Sequence, residues 1–353
     1  MSSLLQKLLL LSMATIVSLV ALEGALRAFV PVRNVGPSFT AYDPVYGKRL
    51  KADASTIRTT PEFEMQLTTN SLGFRGAEPV PSARPPVLFL GDSFTMGYGV
   101  SDGAEFPALI ARYFQDLEED DPVPVINAGL GNNGNGRSLK FLRREAATID
   151  PALVVLQLTG NDAFENANEK LFKLGTAGAE LVELSVSKPG ILNKVQSGIE
   201  SVPGLADTYV IGWSRQVVET ATRFKRSQQK AFFPDDQSDR LTLRLVEEHL
   251  SLLQGMGWPA VVLAVEIEEQ RLAAIQALTD RYDVDLLTMP SKNERPDFYY
   301  RVDNHWNAGG HDFAAARLIQ WLEQNRDVWD PSAISEEGPA LSLNQGLDQE
   351  IQP

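Results

Sequence analysis

The sequence predicts an α/β protein of three layers, in which a five-stranded parallel sheet lies between two layers of helices. Five short apolar runs lack polar alternation, as expected for strands that are covered on both faces. Segments of helical period separate these runs, and such alternation is typical of repeated βαβ units. Ligands of open α/β sheets bind outside the carboxyl ends of the strands. The residues that follow each run are therefore the candidates for function.

The main domain is predicted over residues 86–328. Its strands are predicted at VLFL (87–90), VPVINA (123–128), LVVLQL (153–158), PAVVLAVEI (259–267) and VDLL (284–287). Its helices are predicted at FPALIARYF (106–114), SLKFLRREAATI (138–149), TLRLVEEHLSLLQGM (242–256), QRLAAIQALTDRY (270–282) and AGGHDFAAARLIQWLEQN (308–325). The alternation of strands and helices is interrupted at about 165–240, where a hairpin and a charged helix, WSRQVVETATRFKRSQQK, are expected. We interpret this stretch as an insertion after the third strand that forms a lid or wall.

The N-terminal residues 1–30 predict a membrane segment. Lys7 precedes the apolar run LLLLSMATIVSLVAL (8–22), and only a weak cleavage pattern, Glu-Gly-Ala, follows it. This favours an uncleaved signal anchor over a cleaved signal peptide. The positive-inside rule places Lys7 in the cytoplasm and the body outside it, although Arg27 and Arg33 weaken this orientation.

Two further segments flank the main domain. Residues 31–85 are rich in turn residues and short alternating runs such as FEMQL, which predict a small β-rich prelude that packs on the main domain. Residues 329–353 form a polar tail that we expect to be loosely ordered.

Composition excludes several classes of function. The net charge of −14, without any run of Lys and Arg, argues against a nucleic-acid partner. The absence of Cys excludes disulfides, thiolate metal sites and a cysteine nucleophile. Hydrophobic residues make up 43% of the 353 residues, which is enough for a full core.

The groups needed for acyl transfer follow the predicted strands. Ser93 follows the first strand in GDS, and GLGNNGNG (129–136) follows the second. Asn161 follows the third strand in TGND, and Asp303 and His305 precede the last helix in VDNHWN. A serine nucleophile needs a base, an orienting carboxylate and oxyanion donors. We expect Ser93 to be the nucleophile, His305 the base and Asp303 its partner. The Ser93 amide, a glycine amide and Asn161 would form the oxyanion hole.

The order of these motifs resembles that of the SGNH (GDSL) hydrolase superfamily, from about residue 86 to residue 325. The resemblance implies a flavodoxin-like fold. It also implies four working residues, which carry onto Ser93, Gly131, Asn161 and His305.

Two departures from the superfamily pattern stand out. Asp303 and His305 have D-x-H spacing rather than D-x-x-H, and D-x-H-W is similar to a motif of SGNH-like sugar O-acetyltransferases of alginate assembly. There, however, the motif precedes the serine. The loop also holds several glycines, so Gly129 or Gly134 are alternatives to Gly131.

Neither a cofactor nor a metal is predicted. GLGNNG fits G-x-G-x-x-G, but it does not follow the first strand, and no acidic residue stands at the end of the next strand to bind a ribose. His249 is interpreted as a surface or packing residue and His311 as a capping or packing residue, and no histidine pair has metal-binding spacing. An α/β-hydrolase elbow would need glycine at Thr95.

The sequence therefore predicts a membrane-anchored bacterial serine esterase, outside the cytoplasm, that acts on short acyl esters of envelope glycans. Its partners would be the membrane and an acylated small molecule or glycan. The first alternative is an O-acyltransferase, which shares the acyl-enzyme and differs in whether water or a sugar hydroxyl accepts the acyl group. The second is a catalytically inert binding module tethered to the membrane.

Overall fold

The structure of the chain is a computed structural model that describes residues 3–30, 32, 35–78, 82–175, 180–230 and 235–330. Its strands are, in chain order, β1 (Thr40–Asp43), β2 (Gly47–Leu50), β3 (Ser55–Thr59), β4 (Glu64–Thr68), β5 (Val87–Leu90), β6 (Val125–Asn127), β7 (Leu153–Thr159), β8 (Phe172–Leu174), β9 (Leu181–Glu183), β10 (Ala260–Val265) and β11 (Asp285–Thr288). Its helices are α1 (Ser3–Phe29), α2 (Ser93–Met96), α3 (Phe106–Leu117), α4 (Asn135–Ile149), α5 (Asp162–Glu169), α6 (Ile191–Glu200), α7 (Tyr209–Lys230), α8 (Asp235–Met256), α9 (Glu269–Arg281), α10 (Ala308–Gln324) and α11 (Arg326–Trp329).

The predicted three-layer fold is confirmed. The central sheet has the order β11-β10-β7-β5-β6, and every pair of neighbours in it is parallel. All four residues of β5 and all seven of β7 are buried. Because side chains alternate between the two faces of a strand, Val87 and Phe89 enter the apolar cluster that contains α3 and α10. Leu88 and Leu90 enter the cluster that contains α4, α8 and α9.

The region after β7 contains the hairpin and the charged helix that its sequence suggests. Strands β8 and β9 pair antiparallel, and α7 extends over the charged segment. Helix α6 was not predicted, and α8 begins at Asp235, several residues before its apolar period becomes clear.

The N-terminal part of the body consists of two antiparallel hairpins, β1–β2 and β3–β4. Their buried side chains, among them Phe63, Met65 and Leu67, form one cluster with Met96 and Leu130. Met96 lies in α2 and Leu130 lies in the glycine loop after β6, so the hairpins pack directly on the loops that follow β5 and β6. The polar tail from residue 331 onward lies outside the described residues, whereas Trp329 and Asp330 are buried.

Helix α1 is long and apolar enough to cross a membrane, a character that signal sequences share. Its last turns contact α7. Glu23 accepts hydrogen bonds of 3.0 Å from the backbone N–H groups of Tyr209 and Val210, and the Arg27 guanidinium lies 4.7 Å from the centre of the Tyr209 ring. The end of α1 is therefore fixed to the body.

Candidate active site

Ser93 lies at the first position of α2, just beyond the carboxyl end of β5. The Asp92 carboxylate caps this helix by accepting the N–H of Phe94 at 2.9 Å, so Asp92 holds the turn. A side chain at Gly91 would come within 2.3 Å of Thr95 Oγ1 and 2.4 Å of Gln157 Oε1. Glycine is therefore required for the chain to turn so tightly into α2.

Ser93, His305 and Asp303 form one hydrogen-bonded chain. The Ser93 Oγ lies 2.7 Å from Nε2 of His305, and Nδ1 of His305 bonds to Oδ1 of Asp303. With the Nδ1 proton held by the carboxylate, Nε2 is free to accept the proton of Ser93. The serine is 6% exposed, whereas the side chains of His305 and Asp303 are 25% and 31% exposed, so the site is open to solvent from the side of the histidine.

The short spacing between Asp303 and His305 does not prevent this contact. Oδ1 of Asp303 also accepts the backbone N–H of His305 at 3.0 Å, which folds the segment into an Asx-type turn. The turn directs the carboxylate back toward the imidazole that follows it by only two residues. Beneath it, Trp306 is buried and packs edge-on against Phe94, with 4.8 Å between the ring centres.

The three candidate glycines lie in different surroundings. A side chain at Gly129 would come within 2.3 Å of Met96 N, and one at Gly134 within 2.4 Å of Asn166 Oδ1, so both glycines are close-packing positions. A side chain at Gly131 would instead lie 3.7 Å from Cβ of Ser93. The N–H of Gly131 donates to the sulfur of Met96 at 3.4 Å, and a thioether is a weak acceptor. This amide can exchange that partner for an oxyanion at little cost.

Asn161 precedes α5 and follows β7, the strand next to β5. Its side chain is exposed and has no hydrogen bond to any other described residue. The carboxamide therefore remains available to a ligand at the same edge of the sheet as Ser93. Asp162, the next residue, is buried and accepts the N–H of Thr159 at 2.8 Å, which fixes the turn from β7 into α5.

A buried polar network lies beneath the serine turn. Oε1 of Gln157 accepts the N–H of Asp92 at 3.0 Å and the hydroxyl of Thr95 at 2.9 Å. Burial raises the pKa of Asp92, while burial and the nearby charge of Asp92 raise the pKa of Asp162 well above its usual range. The network fixes the end of β5 against the end of β7, and with it the position of Ser93.

Three contacts to the site come from the chain before β5, two of them from the N-terminal hairpins, and sequence reasoning missed them. Nζ of Lys48 donates to the carbonyl of Gly131 at 2.5 Å. Glu62 accepts the N–H of Asp303 at 2.8 Å. The buried Arg75 donates to the carbonyl of Gly97 at 2.6 Å. These residues are far in sequence from their partners and belong to no motif, so no signal in the sequence indicated them.

The other two histidines lie in the core. Burial lowers the pKa of His249 to about 4, and burial lowers the pKa of His311 to about 3. His311 packs against Phe106 and Trp306. Within the described part of the chain, no group of three or more His, Asp or Glu side chains is arranged to hold a metal ion.

Comparison with known families gives the site its context. A model of the GDSL-like Lipase/Acylhydrolase family matches residues 89–313, which is more than half of the chain. The chain belongs to this family. It is accordingly an ester-hydrolysing enzyme, as the sequence predicted. No curated protein matches the chain.

Solved structures of several esterases resemble the GDSL-like enzyme at a low level. EstA from Pseudoalteromonas sp. aligns with a TM-score of 0.41 at 13% identity, and the alignment covers 69% of this chain and 99% of the EstA chain. A variant of Axe2, an acetyl-xylooligosaccharide esterase from Geobacillus, aligns with a TM-score of 0.41 at 14% identity, and the alignment covers 68% of this chain and 94% of the Axe2 chain. A two-domain esterase active on acetylated mannans aligns with a TM-score of 0.40 at 12% identity, and the alignment covers 72% of this chain and 52% of that esterase.

Proposed function

We propose that the chain is a serine esterase that removes short acyl groups, acetyl above all, from glycans of the cell envelope. The observation that carries the proposal is the chain of hydrogen bonds from Ser93 through His305 to Asp303. The carboxylate orients the imidazole and stabilises its positive charge after proton transfer, which is the arrangement that makes a serine hydroxyl nucleophilic.

The reaction would proceed in two halves. His305 takes the hydroxyl proton as Ser93 Oγ attacks the ester carbonyl, and the oxyanion is stabilised by the Ser93 amide, the Gly131 amide and the Asn161 carboxamide. His305 then protonates the leaving alcohol, which leaves an acyl-serine. Water, deprotonated by His305, releases the acid and restores Ser93. Loss of one oxyanion donor typically costs about 100- to 1,000-fold in rate.

Exposed carboxamides near the site support a sugar substrate. Asn132 adjoins Gly131, Asn304 adjoins His305, and Asn161 follows β7, and all three side chains are exposed. A carboxamide both donates and accepts hydrogen bonds, which suits the hydroxyl groups of a glycan.

An acyltransferase is the second candidate, and the D-x-H-W sequence at Asp303 to Trp306 favours it. Hydrolase and transferase share the acyl-serine and differ in the acceptor. Incubation with an acetyl donor and oligosaccharides distinguishes them, because an esterase releases acetate to water and a transferase yields acetylated sugar.

We infer that α1 is an uncleaved anchor that holds the body outside the cytoplasm. The bonds of Glu23 support retention of the helix, because cleavage near residue 25 would remove Glu23 and leave the N–H groups of Tyr209 and Val210, at the start of α7, without this acceptor. The intact mass of the purified protein tests this, since a mass lower by the first 25 residues would show cleavage.

Replacement of Ser93 by Ala tests the proposed function. Ser93→Ala should abolish hydrolysis of p-nitrophenyl acetate and labelling by a fluorophosphonate, with thermal unfolding unchanged. Ser101→Ala is the matched control, because this exposed serine contacts Gln66 and not His305. A Ser93→Ala protein as active as the wild type would remove the nucleophile and the proposal with it.

A further inference from the structure

A side chain from the turn between β3 and β4 binds the backbone of the segment that bears Asp303. Oε1 of Glu62 accepts the N–H of Val302 at 2.9 Å, and Oε2 accepts the N–H of Asp303 at 2.8 Å. One carboxylate thus binds two consecutive peptide groups, the second of which belongs to the residue that orients His305.

The turn is itself anchored beside the histidine. Phe63, next to Glu62, is buried and packs against Tyr98 and Tyr300, with ring centres 5.4 Å and 4.8 Å away. The Tyr98 ring lies 4.8 Å from the ring of His305, and the N–H of Tyr300 donates to the His305 carbonyl at 3.1 Å. The support for Glu62 is therefore continuous with the support for the imidazole.

The contact places the carboxylate of Glu62 near that of Asp303, which is electrostatically unfavourable. Glu62 lies close enough to Asp303 for the two carboxylates to repel each other. Burial also tends to raise the pKa of Glu62, but the N–H groups of Asp303, Val302 and Arg301 outweigh both effects and lower it. The side chain is therefore ionised at neutral pH, and charged acceptors form the stronger hydrogen bonds.

We propose that Glu62 is a positioning residue for the esterase, and that it holds the peptide of Asp303 so that Oδ1 stays bonded to Nδ1 of His305. The N-terminal hairpins are then part of the catalytic apparatus rather than a cover over it. This inference rests on the proposed function, because it assumes that the hydrogen-bonded chain from Ser93 performs the reaction.

Kinetics of Glu62 variants test the inference in the full-length protein. Glu62→Ala should lower kcat for p-nitrophenyl acetate by about 100-fold, the scale expected for a misplacement of about 1 Å, and leave KM unchanged. Glu62→Gln keeps one oxygen acceptor and should retain more kcat than Glu62→Ala. The control is Glu64→Ala on the same hairpin. Among the described residues its exposed carboxylate hydrogen-bonds to Thr59 alone, at 3.5 Å, and wild-type kinetics are expected.

A double-mutant cycle separates positioning from stability. If Glu62 acts through Asp303, then Glu62→Ala added to Asp303→Asn should cost little further activity, whereas independent effects would multiply. Wild-type kcat in Glu62→Ala, or multiplied losses in the double variant, would overturn the inference. Should Glu62→Ala fail to fold, Glu62→Gln replaces it in the cycle.

The two proposals fail in different ways. Activity in Ser93→Ala would remove the proposed function and, with it, the role of Glu62. An inactive Ser93→Ala protein together with a fully active Glu62→Ala protein would leave the esterase standing and remove the positioning role alone.

Discussion

Replacement of Arg75 by Met should destabilise the segment that carries the nucleophile. The Arg75 guanidinium donates to the carbonyls of Met96, Gly97 and Val100 at 2.8, 2.6 and 2.7 Å, all of which lie in or just after α2. It also lies 3.6 Å from the Glu105 carboxylate, and the two side chains are 0% and 2% exposed. Met fills a similar volume but donates no hydrogen bond.

The structure sets the size and the pH dependence of this effect. Removal of one partner of a buried ion pair leaves the other uncompensated, at a cost of about 3–5 kcal/mol in the free energy of unfolding. Burial raises the pKa of Glu105, and the charge of Arg75 opposes that rise, so the pKa climbs further in the variant. A carboxyl with a higher pKa in the folded than in the unfolded state costs stability as pH rises above about 4.3. Arg75→Met should therefore lose more stability at pH 8 than at pH 5.

Denaturant unfolding of the full chain in detergent, followed by tryptophan fluorescence at both pH values, measures the loss. The double variant Arg75→Met with Glu105→Gln removes the buried charge of Glu105, so it should recover part of the stability and lose most of the pH dependence. The carboxylate of Asp102, 3.1 Å from Arg75 in the wild type, is 28% exposed and remains solvated. A loss in Arg75→Met below about 0.5 kcal/mol, the range of neutral surface substitutions, would refute the reasoning. An equal loss at pH 5 and pH 8 would show that Glu105 is not the cause.

Two further predictions concern the glycine loop and the core. Gly129→Ala should lower both Tm and kcat, because its Cβ would lie 2.3 Å from Met96 N, whereas Gly131→Ala, with Met96 Cε nearest at 3.4 Å, should keep the wild-type Tm. Thermal unfolding checks this, and a Gly131→Ala protein that unfolds early would contradict it. Burial lowers the pKa of His249 from 6.5 to about 4, so between these pH values the unfolded state binds a proton that the folded state does not. The free energy of unfolding therefore decreases as pH drops below 6.5, by roughly 3 kcal/mol in total. His249→Leu should lose this acid dependence of Tm, and equal pH slopes in variant and wild type would count against the assignment.

Burial on both faces explains why the sheet could be predicted from the sequence. The strands β5 and β7 are continuous apolar runs, and the residues that follow them lie at one edge because the strands are parallel. The meeting of Ser93, His305 and Asp303 follows from that topology. Glu62, by contrast, contacts Asp303 across 241 positions of the chain. A contact between residues so far apart produces no periodicity or motif spacing in the sequence, so it could not be predicted. Helix α6 escaped prediction for a local reason, since its ten residues include Gly, Ser and Asn, which are weak helix formers, beside four apolar residues.

The attachment of α1 to α7 determines how the body can move. A body on a flexible linker can reorient freely relative to the membrane. Here the bonds of Glu23 and the contact of Arg27 with Tyr209 attach the end of α1 directly to α7 and restrict that reorientation. If α1 crosses a bilayer, the enzyme diffuses in two dimensions with Ser93 held at a fixed height above the lipid. Turnover would then follow the surface density of substrate within that thin layer, and polymers beyond it would be reached only as they fluctuate toward the membrane.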